Sequence, residues 1–374
     1  MSSPPARPNL PLIDISSFLP TSPHDQKARK QCAQKLYSAC ANTGFFYLTN
    51  HGIPTSQTDE ILSRARTFFL NTPKDEKLAI ARKDPGIDNG DGARGYQVIG
   101  DNVTEGKRDW HEAIDWYRPV VDDDTRSPPY ECLMGKNLWP SKSEGFRDKY
   151  EVYVERMLEL GTAVVEAMGM ALGLEDEDFF VKQTRESWWV MRAIGYPPLP
   201  RSSASSSTTT STTSSRTSDD DKTGSDVGEQ NDEAISCGAH TDYGCLTLLL
   251  SDPTPHALQV QTTSPLTGNS TWINADPIPG TFVVNIGDMM ERWTNGLWKS
   301  TRHRVVHRGE GFRVSVPFFF EPDFRARVGP LGECVNSRGG RERPEYGEVG
   351  YGEFLVGKVR GNFYGGGEGG GGGA

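Results

Sequence analysis

Helices in the first half and a succession of short strands in the second predict a mixed chain, mainly β, with a jelly-roll-like core. Two observations carry this reading. Apolar residues recur at helical spacing as far as Leu172, and short β-rich runs bounded by turn residues fill the stretch from Ile235 to Pro322. A chain of 374 residues can bury one large core, so one catalytic domain with tails is expected.

From Asp25 to Ala41 the residues Ala28, Cys32, Leu36 and Ala39 mark a helix, and Gly44 breaks it before the apolar run Phe45 to Leu48, read as a strand. A second helix is expected from Ser56 to Leu70. A long one runs from about Gly145 to Leu172, with a stripe of Phe146, Tyr150, Tyr153, Met157, Val164 and Met168, and Gly173 is placed to end it. That stripe is assigned to core packing. Strand-like sequence follows at Trp188 to Ile194 and, from Ile235 onward, at Cys245 to Leu250, Leu258 to Gln261, Trp272 to Asn274, Thr281 to Ile286 and Phe312 to Phe320. Short strands at this spacing suggest a sandwich or barrel. Between them, fifteen of the seventeen residues from Ser202 to Ser218 are Ser or Thr, and the polar character persists to Glu233. Such sequence has nothing with which to build a core and is read as a disordered insertion in one domain, as is the Gly-rich tail after Tyr364.

A formal charge of −10 argues against nucleic acid as the main partner, whose contacts are dominated by basic residues. No run is long and apolar enough for a membrane helix, and MSSPPARPNLPLIDI lacks the apolar centre of a signal peptide, so a cytoplasmic location is expected. The six cysteines (Cys32, Cys40, Cys132, Cys237, Cys245 and Cys334) form no CxxC pair, so reduced, mostly buried thiols are expected, with Cys245 a core residue on a strand.

His240-Thr241-Asp242 places an imidazole and a carboxylate two positions apart, which in an extended strand puts both on one face. An HxD pair alone is common by chance and needs a third ligand, for which His303 and His307 are both candidates. Two histidines and a carboxylate leave coordination positions open, an arrangement suited to non-haem Fe(II) that binds O2 and a co-substrate, whereas zinc favours a closed site or one open position. Arg313-Val314-Ser315 repeats the i, i+2 geometry and offers a guanidinium fork and a hydroxyl to a carboxylate.

These residues, taken with Leu12-Ile13-Asp14, the segment Gly44 to Pro54, Arg94-Gly95-Tyr96, Asn137 to Pro140, Gly195 to Pro198, Gly238 to Gly244, Leu258-Gln259-Val260, Asn285 to Asp288 and Ser300 to Val305, resemble the Fe(II)/2-oxoglutarate-dependent dioxygenases of the isopenicillin N synthase-like group. The resemblance spans most of the chain and implies a double-stranded β-helix, or jelly roll, flanked by helices. It divides the chain into an N-terminal segment, 1–140, packed on a core, 141–364, that contains the insertion 201–233, followed by the tail 365–374. It selects His303 as the third iron ligand, from the motif KSxxHRV about ten residues before the arginine, and leaves His307, His256 and His51 as loop, solvent-facing or structural residues.

The same resemblance implies that Arg313 and Ser315 hold the distal carboxylate of 2-oxoglutarate, with Tyr196 and Asn285 assisting. The expected reaction consumes O2 and 2-oxoglutarate, releases succinate and CO2, and hydroxylates, desaturates or cyclises a small apolar or aromatic metabolite, as enzymes of secondary metabolism do. Phe319, which shares the strand face of Arg313, is expected to line the substrate pocket, with Arg94, Tyr96 and Glu112 as further contacts. Two alternatives stand beside this one. One is an Fe(II) oxidase of the isopenicillin N synthase or aminocyclopropane-carboxylate oxidase type that does not use 2-oxoglutarate, and the other is a non-catalytic jelly-roll binding protein. Departures from the family pattern are the Ser/Thr-rich insertion, His256 in place of a glycine, and the glycine tail.

Overall fold

The first helix begins where Asp25 accepts hydrogen bonds from the backbone N–H groups of Lys27 and Ala28 at 2.9 and 3.2 Å. A cap of this kind contributes about 0.5–2 kcal/mol. The computed structural model describes residues 10–23, 25–85, 87–88, 90–120, 133–200, 235–264, 267–337 and 344–364. In chain order these form β1 (Leu12–Asp14), α1 (Gln26–Asn42), β2 (Phe45–Thr49), α2 (Thr55–Asn71), α3 (Lys74–Ala79), β3 (Gly95–Gln97), β4 (Val103–Thr104), β5 (Lys107–Arg108), β6 (Glu112–Tyr117), α4 (Phe146–Leu172) and α5 (Phe179–Gln183). Then follow β7 (Val190–Tyr196), β8 (Cys237–His240), β9 (Leu246–Ser251), β10 (Leu258–Thr263), β11 (Ser270–Asn274), β12 (Phe282–Ile286), α6 (Asp288–Trp293), β13 (His303–Val305), β14 (Arg313–Phe320), β15 (Arg327–Val328), α7 (Gly332–Ser337), β16 (Val349–Gly350) and α8 (Tyr351–Tyr364).

The expected helices and strands form at these positions within a few residues. The proposed insertion 201–233, Cys132 and the tail 365–374 lie outside the described residues. Helices α3 and α5 to α8 and the strands β3 to β6, β13, β15 and β16 were not foreseen, because they are short or lack a clean apolar period.

Two sheets make the core. The larger has the order β1-β2-β12-β9-β14-β7-β6-β3 and the smaller β11-β10-β13-β8. Strands from the N-terminal segment thus complete the larger sheet rather than forming a separate one. Both faces of that sheet are buried, which explains near-continuous apolar strands such as Phe45-Phe46-Tyr47-Leu48. Alternate residues divide between the faces. Phe46, Leu48, Val314, Val316, Phe318 and Phe320 join the core beneath the helices, whereas Phe45, Tyr47, Val283 and Ile194 join a second apolar cluster that also holds Leu258, Val260 and Val305 of the smaller sheet. The α4 stripe from Phe146 to Met168 is buried in the first cluster, as expected.

Backbone conformation accounts for one departure from the family pattern. His256 has φ +60°, a conformation that favours glycine.

Candidate active site

His303 and His240 are direct partners across the antiparallel β13–β8 pair, and this register brings their imidazoles together with ring centroids 4.3 Å apart. Asp242 completes the group, with its Oδ1 3.7 Å from Nε2 of each histidine. The expectation that His240 and Asp242 share a strand face requires correction: β8 ends at His240, and Asp242 occupies the turn that follows. That turn is anchored elsewhere. Asp288 N–H donates to the Asp242 carbonyl at 2.8 Å, Met289 N–H to the Gly244 carbonyl at 3.0 Å, and the Ser300 hydroxyl to Asp288 Oδ1 at 2.7 Å. A side chain at Gly287 would put its Cβ 2.5 Å from the Gly244 carbonyl oxygen and 2.9 Å from that of Asp242, so the approach requires glycine. The Gly287-Asp288 and Lys299-Ser300 motifs are therefore the scaffold of the metal turn.

The donor set fits a metal ion. His240 Nδ1 faces the Gly238 carbonyl at 2.8 Å and His303 Nδ1 the Thr301 carbonyl at 3.2 Å. A carbonyl only accepts, so Nδ1 carries a proton in both rings and Nε2 is the nitrogen turned to Asp242 and a metal ion. Burial works against a charged His240, yet Cys237 and Asp242 push its pKa up to about 10, so an ion that binds there displaces a proton from Nε2. Burial keeps His303 neutral, its pKa pushed down to about 4. Burial works against the Asp242 carboxylate, yet the two imidazoles and hydrogen bonds from Asn285 and Thr247 hold its pKa below the usual range. Asn285 Nδ2 donates to Asp242 Oδ2 at 2.7 Å, and the Thr247 hydroxyl donates to the same oxygen. These two residues are partners across β12 and β9. Asn285, expected beside the co-substrate, spends its hydrogen bond on the metal ligand. Thr247 was missed, since only the pairing of the two strands aims it there. Phe45 of the GFF motif packs edge-on against His303 at 5.3 Å.

A cavity of about 490 Å³ opens from this triad between the sheets. Along β14 every second residue faces it: Arg313, Ser315, Pro317 and Phe319, followed by Glu321. The i, i+2 expectation for Arg313 and Ser315 and the placement of Phe319 on the cavity wall both hold. Arg313 is 1 % exposed, its guanidinium carbon sits 4.7 Å from the centre of the Tyr196 ring, and its Nε and Nη1 hydrogen-bond to nothing in the described structure. A buried, always-charged fork with free donors beside a serine hydroxyl fits a carboxylate. Asp252 steadies this end of the strand, accepting from Val314 N–H at 2.8 Å and from Arg66 at 2.5 Å.

The structure does not bring Arg94, Tyr96 or Glu112 to the cavity. Strand parity is the reason for the last two: on β6 it is Asp115 and Tyr117 that line the cavity, while Glu112 turns to the helical side to bond Lys77 at 2.8 Å and the Tyr96 hydroxyl at 2.5 Å. Arg94 is buried against Asp91 and donates to the carbonyls of Leu133 and Arg118, which makes it an internal staple. His307 lies in a loop, as expected, and is buried there, with Nε2 2.6 Å from the Gly311 carbonyl. His51 is structural as expected, its ring 3.2 Å from the Gly280 carbonyl, and His256 is exposed. Sequence reasoning also missed Asp109, His111, Cys237, Arg192 and Glu321, all on the cavity wall, and Lys358 of α8 at its rim.

Residues 10–142 match the family described as the N-terminal region of the non-haem dioxygenase in morphine synthesis, and residues 218–322 match the 2OG-Fe(II) oxygenase superfamily. A homoarginine-6-hydroxylase of Oryza sativa subsp. japonica is 37 % identical over 95 % of this chain and 97 % of its own length. A 1-aminocyclopropane-1-carboxylate oxidase of Dictyostelium discoideum is 33 % identical over 85 % of this chain and 83 % of its own. Among solved structures, a full-length Neurospora crassa protein in complex with alpha-KG and thymine superposes with a TM-score of 0.72 at 25 % identity, covering 94 % of this chain and 96 % of that one. With the His240–Asp242–His303 triad and the jelly-roll core on which it sits, these likenesses identify the chain as a member of the 2OG-Fe(II) oxygenase superfamily, an oxidoreductase that works with Fe(II), 2-oxoglutarate and O2 on a small molecule.

Proposed function

We propose that His240, Asp242 and His303 hold the iron, that Arg313, Ser315 and Tyr196 hold the distal carboxylate of 2-oxoglutarate, and that the chain hydroxylates a small polar metabolite. The observation that carries this reading is the pair of unpartnered guanidinium nitrogens of Arg313, buried at one end of the cavity that contains the triad. When bound, the iron and 2-oxoglutarate supply the O2-dependent oxidising chemistry, with succinate and CO2 as by-products. The chain's own residues supply the geometry. Nδ1-bound carbonyls hold the imidazoles in the ligating tautomer, Asn285 and Thr247 fix the carboxylate, and Arg313 orients the co-substrate. Burial keeps the Tyr196 phenol protonated, so it serves as a neutral wall and hydroxyl beside Arg313 and Ser315.

The apolar or aromatic substrate expected from sequence gives way to a polar one, since Asp109, Asp115, Arg192 and Glu321 line the cavity together with Phe319. Homoarginine is the first substrate to test, because a relative named for its 6-hydroxylation is similar along nearly the whole chain. The test measures succinate, O2 uptake and product mass with Fe(II) and 2-oxoglutarate. Hydroxylated product with one succinate per turnover is expected. Turnover without succinate would instead favour the oxidase reading, for which the Dictyostelium relative is the supporting observation.

A cytoplasmic setting and a role in secondary metabolism remain part of this proposal. The five described cysteines are all free, which suits a reducing compartment, and no described helix is long and apolar enough to cross a membrane.

A further inference from the structure

Beside the metal triad lies a second group of side chains that neither the iron nor the co-substrate explains. Asp109, His111 and Cys237 each offer one atom, an oxygen, a nitrogen and a sulfur, and these atoms lie within 4.8 Å of one another on the cavity wall. His111 is 2 % exposed, and its Nδ1 is 2.7 Å from the Ser236 carbonyl. That carbonyl only accepts, so Nδ1 is the protonated nitrogen and Nε2 is an acceptor. Buried Nε2 has no hydrogen-bond partner among the described residues. Burial also keeps this ring neutral, its pKa down to about 3.

Asp109 is likewise 2 % exposed, and among the described residues its carboxylate is hydrogen-bonded by neutral donors, Gly238 N–H at 2.8 Å and the Thr104 hydroxyl at 2.8 Å. The nearby Arg192 does not neutralise it by direct pairing: its Nε pairs with Asp115 at 3.2 Å and its Nη2 donates to Gln97 and Asn102. A buried carboxylate, an obligatory imidazole acceptor and a thiol sulfur therefore converge beside Arg192, with no cation directly paired to them among the described residues. Leaving buried acceptors unmatched costs free energy that a ligand's donors would recover.

We infer that Asp109, His111 and Cys237 form a seat for an organic cation of the substrate, an ammonium or guanidinium group, and that the substrate is a cationic amino acid or close relative. This inference rests on the hydroxylase reading above and names the substrate class of that same cavity. Charge decides between an organic cation and a second metal ion. The Arg192 guanidinium alongside disfavours a divalent ion more than a monocation. Cys237 Sγ is 3.9 Å from His240 Nδ1, so a cation seated here is anchored directly beside the metal site.

Calorimetric titration of the anaerobic Fe(II)- and 2-oxoglutarate-loaded enzyme with homoarginine, arginine and lysine tests the seat. At least one should bind, and Asp109→Asn should weaken that binding by about tenfold or more, as expected for loss of a charge-assisted contact. A measurement on the wild type guards against a variant that does not fold. For whichever ligand binds, neutralising its side-chain cation or acetylating its α-amino group should weaken binding about tenfold in one of the two cases. The inference is overturned if none of the three amino acids binds, if neither neutralisation matters, or if a folded Asp109→Asn binds as tightly as wild type. Two Zn(II) ions bound per wild-type chain, falling to one in Cys237→Ala, would overturn it in favour of a metal site. Succinate production by the wild type separates the two levels. Its presence with a failed seat defeats this inference alone, and its absence with every substrate tried defeats the hydroxylase reading.

Discussion

The two ends of the active-site cavity are built to different degrees of completion. At the metal corner each ligand's second polar atom is already held: His240 and His303 by carbonyls, and Asp242 by Asn285 and Thr247. On β14 and just before β6, buried polar atoms have no hydrogen-bond partner among the described residues: Arg313 Nε and Nη1 on one side and His111 Nε2 on the other. The contrast teaches where exchangeable ligands go. A resident metal calls for a preorganised donor set, whereas groups that enter and leave with each turnover must find their partners free.

Removing a ligand attacks the completed end and should have the largest effect. Asp242→Ala leaves two imidazoles and should abolish both iron retention, read by metal analysis, and succinate formation. A variant that kept its iron and activity would break the assignment. At the open end, Arg313→Ala should raise the KM for 2-oxoglutarate roughly 10- to 150-fold, the equivalent of about 1.5–3 kcal/mol for a charge-assisted contact. If that KM were unchanged while affinity for the organic substrate fell, Arg313 would belong to the substrate and the oxidase reading would gain.

Trimming the support of the metal corner should be milder. Asn285→Ala and Thr247→Val are each expected to weaken Fe(II) affinity by about 10- to 100-fold, measured by chelator competition, with the KM for 2-oxoglutarate little changed. A change confined to 2-oxoglutarate would restore Asn285 to the co-substrate role that sequence suggested for it.

The smallest effect concerns Glu321, at the end of β14. Burial, reinforced by the nearby charges of Asp242 and Asp288, pushes its pKa up to about 8. The folded chain therefore holds a proton there that the unfolded chain loses near pH 4.5, so this group's contribution to stability is full below that pH and disappears as pH rises through about 8. The metal-free wild type should lose melting temperature across that window, and Glu321→Gln should flatten the loss. An unchanged slope would show that Glu321 is ionised in the fold.

Much of this site was legible in one dimension because strand geometry repeats. The alternation that puts Arg313, Ser315 and Phe319 on one face is a property of any extended strand, and the resemblance of Lys299 to Val305 to a family motif carried the choice of the third ligand. The same alternation misled for Tyr96 and Glu112. Parity says which residues share a face, but which face meets the cavity is set by the strand's neighbours, here α2 on one side and β8 and β13 on the other.

The sequence by itself determined the three longest helices, most of the longer strands, the ligand types and a fork suited to a carboxylate, because these depend on local spacing and side-chain chemistry. Tertiary structure alone decided that Asn285 and Thr247 serve Asp242, and that Asp109, His111 and Cys237 meet. Those residues are separated by up to 128 positions in the chain (237 − 109 = 128), and only the pairing of strands across two sheets turns their side chains toward a common point.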